Sequence, residues 1–126
     1  MEFLIDSNIL IDYVAERFSE KQIQLLDNIF DTALNLCVIS KIEIFGYNMI
    51  PAEEQYFSRL FLIVNIIQLN DDIVEKTIEI RKAIKIKIPD ALIAATALVN
   101  NYTLLTRNKT DFSEVPGLPV IDPHEW

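Results

Sequence analysis

"IPDALIAATALVNNYTLLTRNKTDF", residues 88–112, carries the two patterns from which the fold is read. Its first half opens at Pro89, places Asp90 in the first turn and stops near Asn100-Asn101. Proline leaves no N–H unpaired at a helix start, and an acid there complements the helix dipole. "YTLLT" then forms a short uninterrupted apolar run, and "RNKTDFSEVPG" after it reads as a loop. Strands that are apolar throughout, rather than alternating, belong to parallel sheets covered on both faces.

The same grammar extends outward in both directions. Residues 2–5 form a strand, followed by a helix to about Ala15 with Ile9, Leu10, Ile11 and Val14 on its apolar side. "SEKQIQLLDNIFDTAL" is a helix capped by Ser19, "LCVIS" a strand, and "SKIEIFGYNM" a helix stopping near Gly46 to Asn48. "PAEEQYFSRLFLI" begins a helix with Pro51 at its first position; "VNIIQL" is a strand; "NDDIVEKTIEIRKAI" is a helix capped by Asn70; "LPVI" is a last strand. Strands separated by helices give an α/β fold with a mostly parallel central sheet. With 126 residues and no internal repeat or linker, one domain spanning residues 1–126 is expected.

Composition narrows the function. A hydrophobic fraction of 51% with 24% charged residues suits a packed protein rather than a disordered one. No secretory leader is visible and no apolar run approaches the ~18 residues of a membrane span, so the cytosol is the expected compartment. The single cysteine, Cys37, excludes a disulfide framework and a cysteine zinc site. Two glycines cannot supply a glycine-rich phosphate loop. Serine–histidine and cysteine–histidine triads fail on inventory, because the only histidine, His124, lies in "DPHEW" and reads as an exposed tail residue. The net charge of −8 opposes passive nucleic-acid binding, yet residues 76–109 carry +5 and leave −13 to the rest. So polarised a chain can present one basic surface.

In open parallel sheets, ligands bind beyond the carboxyl ends of the strands. Four acids fall there: Asp6 after the first strand, Glu43 a turn into the helix after "CVIS", Asp90 at the start of its helix, and Asp111 in the loop after "TLLT". Each has a structural alternative. Asp6 suits a helix cap, Ser40 and Glu43 have capping-box spacing, Asp90 suits the dipole, and Asn108 with Asp111 suits an Asx turn. Together, however, like charges at one edge repel and raise one another's pKa, and a hard divalent cation removes that cost. Such an ion activates a phosphoryl oxygen and a bound water, so phosphodiester hydrolysis is the chemistry expected.

"FLIDSNILIDY", "VISKIEIFGY", "IPDALIAATALVNNYTLLTRNKTDF" and "PGLPVI" together resemble the PIN-domain nucleases, in particular the toxin half of VapBC-type toxin–antitoxin pairs. The resemblance runs from residue 2 to about 121, and residues 89–112 are its most specific part. It implies a three-layer α/β/α fold and an endoribonuclease using Mg²⁺, with Mn²⁺ as the alternative ion, that leaves a 5′-phosphate and a 3′-hydroxyl. Asp6, Glu43 and Asp90 match the core acids, Asp111 the more variable fourth, and Asn108 the polar residue before it. The resemblance also implies a homodimer and an antitoxin that lays a helix or strand into an apolar groove. On that reading Ser7 and Asn8 present polar groups beside Asp6, and Lys85, Lys87, Arg107 and Lys109 are candidates for RNA phosphate contacts. "YNMIPAEEQYFSRLFLIV" holds Tyr47, Met49, Tyr56, Phe57, Leu60 and Phe61, most of them expected in the core.

Three other readings compete. A haloacid-dehalogenase-like phosphatase needs a second aspartate where Asn8 stands, and a receiver domain needs adjacent acids after the first strand, where this chain has "DSN". A PIN-fold interaction module with weak or no nuclease activity is opposed by the intact set of acids.

Overall fold

The computed structural model describes residues 1–126. In chain order the elements are β1 (Phe3–Ile5), α1 (Ser7–Val14), α2 (Glu20–Thr32), β2 (Asn35–Cys37), α3 (Val38–Phe45) and α4 (Pro51–Leu60). They continue with β3 (Asn65–Ile67), α5 (Asp71–Ala83), α6 (Ile88–Val99), β4 (Thr103–Leu105), α7 (Lys109–Phe112) and β5 (Val120–Ile121), then a 3₁₀ turn at Pro123–Glu125. The five strands form one sheet in the order β3-β2-β1-β4-β5, and every pairing is parallel. The sheet grows in one direction from β1 through β2 and β3, then in the other through β4 and β5. The order therefore reverses at β1, and ligand sites of open parallel sheets lie at such a point.

Successive strand residues face opposite sides of a sheet, and the core divides accordingly. Leu4, Cys37 and Leu104 turn to one side, where they pack with Ile73 and Ile80 of α5 and with Ala91, Ala94, Ala95 and Ala97 of α6. Ile5, Leu36 and Leu105 turn to the other, against Ile9 and Leu10 of α1, Leu26 of α2, Ile44 of α3 and Phe57 of α4. Register places Leu4 beside Leu104 and Ile5 beside Leu105. The result is the three-layer α/β/α arrangement. The alanines of α6 let it lie close against α5 and the sheet.

Helix starts follow the residues read as caps. The Ser19 hydroxyl accepts from the Gln22 N–H, Gln22 returns a bond to the Ser19 N–H, and the Asn70 side chain accepts from the Ile73 N–H. Pro51 opens α4. No helix is long and apolar enough to cross a membrane.

Four expectations need correction. The second strand is "NLC" rather than "LCVIS"; α3 begins at Val38, so Ser40 lies inside the helix and caps nothing. β-branched Val38 and Ile39 favour a strand by propensity, but their packing against the α6 side of the core outweighs it. Residues 109–112 form α7 rather than loop, because Phe112 is pulled into the core. β2 and β3 are not apolar throughout: Asn35 donates to the Phe3 carbonyl and accepts from Asn65, a polar ladder across β1, β2 and β3. In the span from Tyr47 to Phe61 only Phe57 is buried; Tyr47 and Tyr56 are exposed and the other three half-buried.

Candidate active site

Asp6 stands at the point where the strand order reverses, at the exit of β1 and the entry to α1. It is a cap only in part. Its Oδ1 accepts the Ser7 N–H at 2.8 Å, the first amide of the helix, rather than the second or third that a capping side chain usually binds. Its Oδ2 accepts the Thr106 hydroxyl at 2.8 Å and the Asn8 amide at 3.1 Å. Thr106 follows β4 directly and is fully buried. Its one hydroxyl proton goes to Asp6, and its oxygen accepts from Asn8 Nδ2 and from the Asn108 N–H. The Asn8 Oδ1 accepts the Arg107 N–H at 3.2 Å. Both exits of the central strand pair are thus locked to one carboxylate. Thr106 escapes a search for charged residues; its position just beyond an apolar strand is the only signal.

The other acids arrive from separate elements. Glu43, on α3, accepts the Ser7 hydroxyl at 3.3 Å, which ties it to α1. Asp90 lies in the first turn of α6 and Asp111 on α7, held by the burial of Phe112; such burial contributes about 1.5–3 kcal/mol. Burial raises the pKa of Asp6, and Asp90 adds to the rise despite the bonds from Thr106, Ser7 and Asn8. Burial raises Glu43 as well, reinforced by Asp6 and Asp90. For Asp90 burial again comes first, then repulsion from Asp111, partly offset by Lys87. The four expected acids therefore form one electrostatic chain. They do not close into a cage: no three Asp, Glu, His or Cys side chains converge on one point.

Asp90 and Asp111 line a cleft of about 740 Å³ together with Lys85, Lys87, Thr110 and Glu114. The turn carrying the lysines is pinned by Arg81, whose guanidinium donates to the Ile86 carbonyl. Lys85 and Lys87 are exposed and make no ion pair within the chain. The other two expected cations are engaged: Lys109 pairs with Glu125 at 3.2 Å and Arg107 with Asp12 at 2.8 Å. Asn108 is exposed beside α7 and binds Thr106 through its backbone alone.

Asp12 was not singled out in the sequence, although a carboxylate inside "ILIDYV" has to find partners if that helix is buried. Its side chain is 1% exposed and meets Arg17, Arg107 and His124. His124 is accordingly no loose tail residue. It stacks on Phe18 at a centroid distance of 4.1 Å and donates to Asp12 at 2.8 Å.

Comparison with known proteins places this geometry among relatives. The PIN domain family model matches residues 3–118. "Ribonuclease VapC" of Rickettsia bellii is 46% identical over 41 residues, which span 32% of this chain and only 31% of that protein. A chain of a toxin–antitoxin complex from Klebsiella pneumoniae is 29% identical over 97% of this chain and 98% of its own, with a TM-score of 0.72. A chain of VapBC-1 from nontypeable Haemophilus influenzae, at 22% identity and 98% coverage of each, has a TM-score of 0.78 and shares the fold.

Proposed function

The chain belongs to the PIN domain family, and from that premise we propose that it is a divalent-metal-dependent endoribonuclease, the toxin of a type II toxin–antitoxin pair. Residues 1–126 are read as one such domain, acting in the cytoplasm. The observation that carries the proposal is the chain of mutually destabilised carboxylates at the point where the strand order reverses, opening on a cleft with two unpaired lysines.

The donor set fits a hard cation. All four candidate ligands are carboxylates, three have pKa values raised in part by one another, and their open spacing suits an ion that keeps several waters. Asp6, Glu43 and Asp90 would hold Mg²⁺ or Mn²⁺ directly or through its waters, and Asp111 would complete the shell. When bound, the ion polarises a phosphoryl oxygen and lowers the pKa of water.

The chain's own groups do the rest. Thr106, Asn8 and the Ser7 amide fix the Asp6 carboxylate in one rotamer and occupy both its oxygens. Proton acceptance from the attacking water therefore falls to Glu43 or Asp90, the acids at this edge whose oxygens are not all engaged. Lys85 and Lys87 bind RNA phosphates at the cleft, and Asn108 offers its amide beside Asp111. Exposed Ile42, Tyr47, Ile50, Leu62 and Ile63 support contact with an antitoxin or a second copy in a homodimer.

Purified protein freed of any copurifying partner should cleave RNA internally with Mg²⁺ or Mn²⁺ and stop in EDTA. Cleavage that survives thorough chelation rejects the metal mechanism. Inactivity on a broad RNA panel favours a PIN-fold interaction module.

A further inference from the structure

Asp12 is over-compensated. One guanidinium neutralises a carboxylate, yet two guanidiniums and an imidazole converge on this one, Arg17 from just past the end of α1 and Arg107 and His124 from remote parts of the chain. Arg107 Nη1 lies 2.8 and 2.9 Å from its two oxygens, Arg17 Nη1 at 2.9 Å and His124 Nε2 at 2.8 Å. Neither arginine has any other acidic partner, and Glu125, the acid beside His124, is taken by Lys109. Asp12 is sealed from water, while the side chains of Arg17 and Arg107 remain 57% and 44% exposed. Each arginine spends a single nitrogen on Asp12 and keeps donors of its rigid fork facing solvent. The backbone bends to achieve this: Glu16 adopts φ 58°, the left-handed region that non-glycine residues seldom enter, and the turn brings Arg17 back over Asp12.

We propose that Arg17 and Arg107, oriented by the buried Asp12, form a second phosphate subsite for the RNA strand, outside the cleft that Lys85 and Lys87 line. The inference rests on the nuclease reading and adds a second anchoring point to it. Asp12 lies six residues along α1 from Asp6, a rise of about 9 Å, so the cluster sits on the helix that Asp6 opens. The backbone of Arg107 is locked to Asn8, so the subsite is held in fixed relation to the acids. A protein of net charge −8 can hold RNA through such local groups of cations.

The test compares Arg17→Gln and Arg17→Lys. Arg17 is the subsite member whose loss leaves Asp12 paired with Arg107 and His124. Binding of a labelled single-stranded RNA oligonucleotide is measured against salt in an Asp90→Asn background, and KM and kcat are measured without that background. Arg17→Gln should weaken binding by roughly three- to tenfold, lower the salt slope by about 0.7 for the lost phosphate contact, and raise KM with kcat unchanged. Arg17→Lys should recover most of the slope. Unchanged binding and slope in Arg17→Gln overturn the subsite, as does equal weakening in both variants with no change of slope, which marks a structural pair only. If the slope changes as expected but the wild type cleaves no RNA, the subsite stands and the nuclease reading falls.

Discussion

Two buried aspartates six residues apart have opposite electrostatic fates, and their partners account for the difference. Asp6 has only neutral donors and acidic neighbours, so burial dominates and its pKa rises. Burial pushes Asp12 upward too, but the bonds from His124, Arg17 and Arg107 outweigh it and hold its pKa below the usual 3.8. A carboxylate depressed in the folded state stabilises the protein above its unfolded pKa, and that stability is lost as pH falls through the folded value. Asp12→Asn should therefore cost about 1.5–3 kcal/mol at pH 7, with the deficit shrinking as pH falls below about 4. Denaturant titrations of both proteins at pH 7 and pH 3 check this; a deficit of the same size at both pH values would contradict it. The acids nominated from the sequence were legible because topology gathers the strand exits at one edge of the sheet. Thr106 and Asp12 were not, because their roles arise from partners some hundred positions away, in contacts that no local pattern encodes.

At the scale of the element, most of the fold followed from helix caps and apolar runs, since Ser19, Pro51, Asn70 and Pro89 each mark a start that is used. The failures lie where local preference and tertiary packing disagree. The start of α3 is the clearest. Ser40 and Glu43 have capping-box spacing, but Ser40 sits in the third helical position, fully buried, and its hydroxyl is the one buried side-chain polar atom without a partner. The two accounts make opposite predictions for Ser40→Ala. Loss of a cap costs about 0.5–2 kcal/mol, whereas removal of an unsatisfied buried hydroxyl is neutral or stabilising by up to about 1 kcal/mol. The structure requires the second outcome, and a midpoint shift in urea unfolding measures it; clear destabilisation would restore the cap. Helix α7 escaped notice for a related reason. Four residues carry too little periodicity to read, and only the burial of Phe112 makes them a helix that holds Asp111.

For the whole molecule, the parallel sheet, its reversal at β1 and the repulsion among Asp6, Glu43, Asp90 and Asp111 form one argument. The fold keeps acids together at a cost that a bound cation would relieve. Thermal unfolding of the wild type and Asp90→Asn, each in EDTA and in Mg²⁺, tests this most directly, because it reads the site whatever the RNA substrate. Asp90→Asn keeps the side-chain shape and removes one charge. In EDTA it should unfold at the same temperature as the wild type or higher, since repulsion is relieved. In Mg²⁺ the wild type should gain about 2.7 kcal/mol at a hundredfold excess over Kd, and the variant should lose most of that gain. A wild type indifferent to Mg²⁺, beside an Asp90→Asn variant destabilised in EDTA by the ~0.3–1 kcal/mol of a lost helix-dipole contact, would contradict the account and leave these carboxylates as helix-end residues.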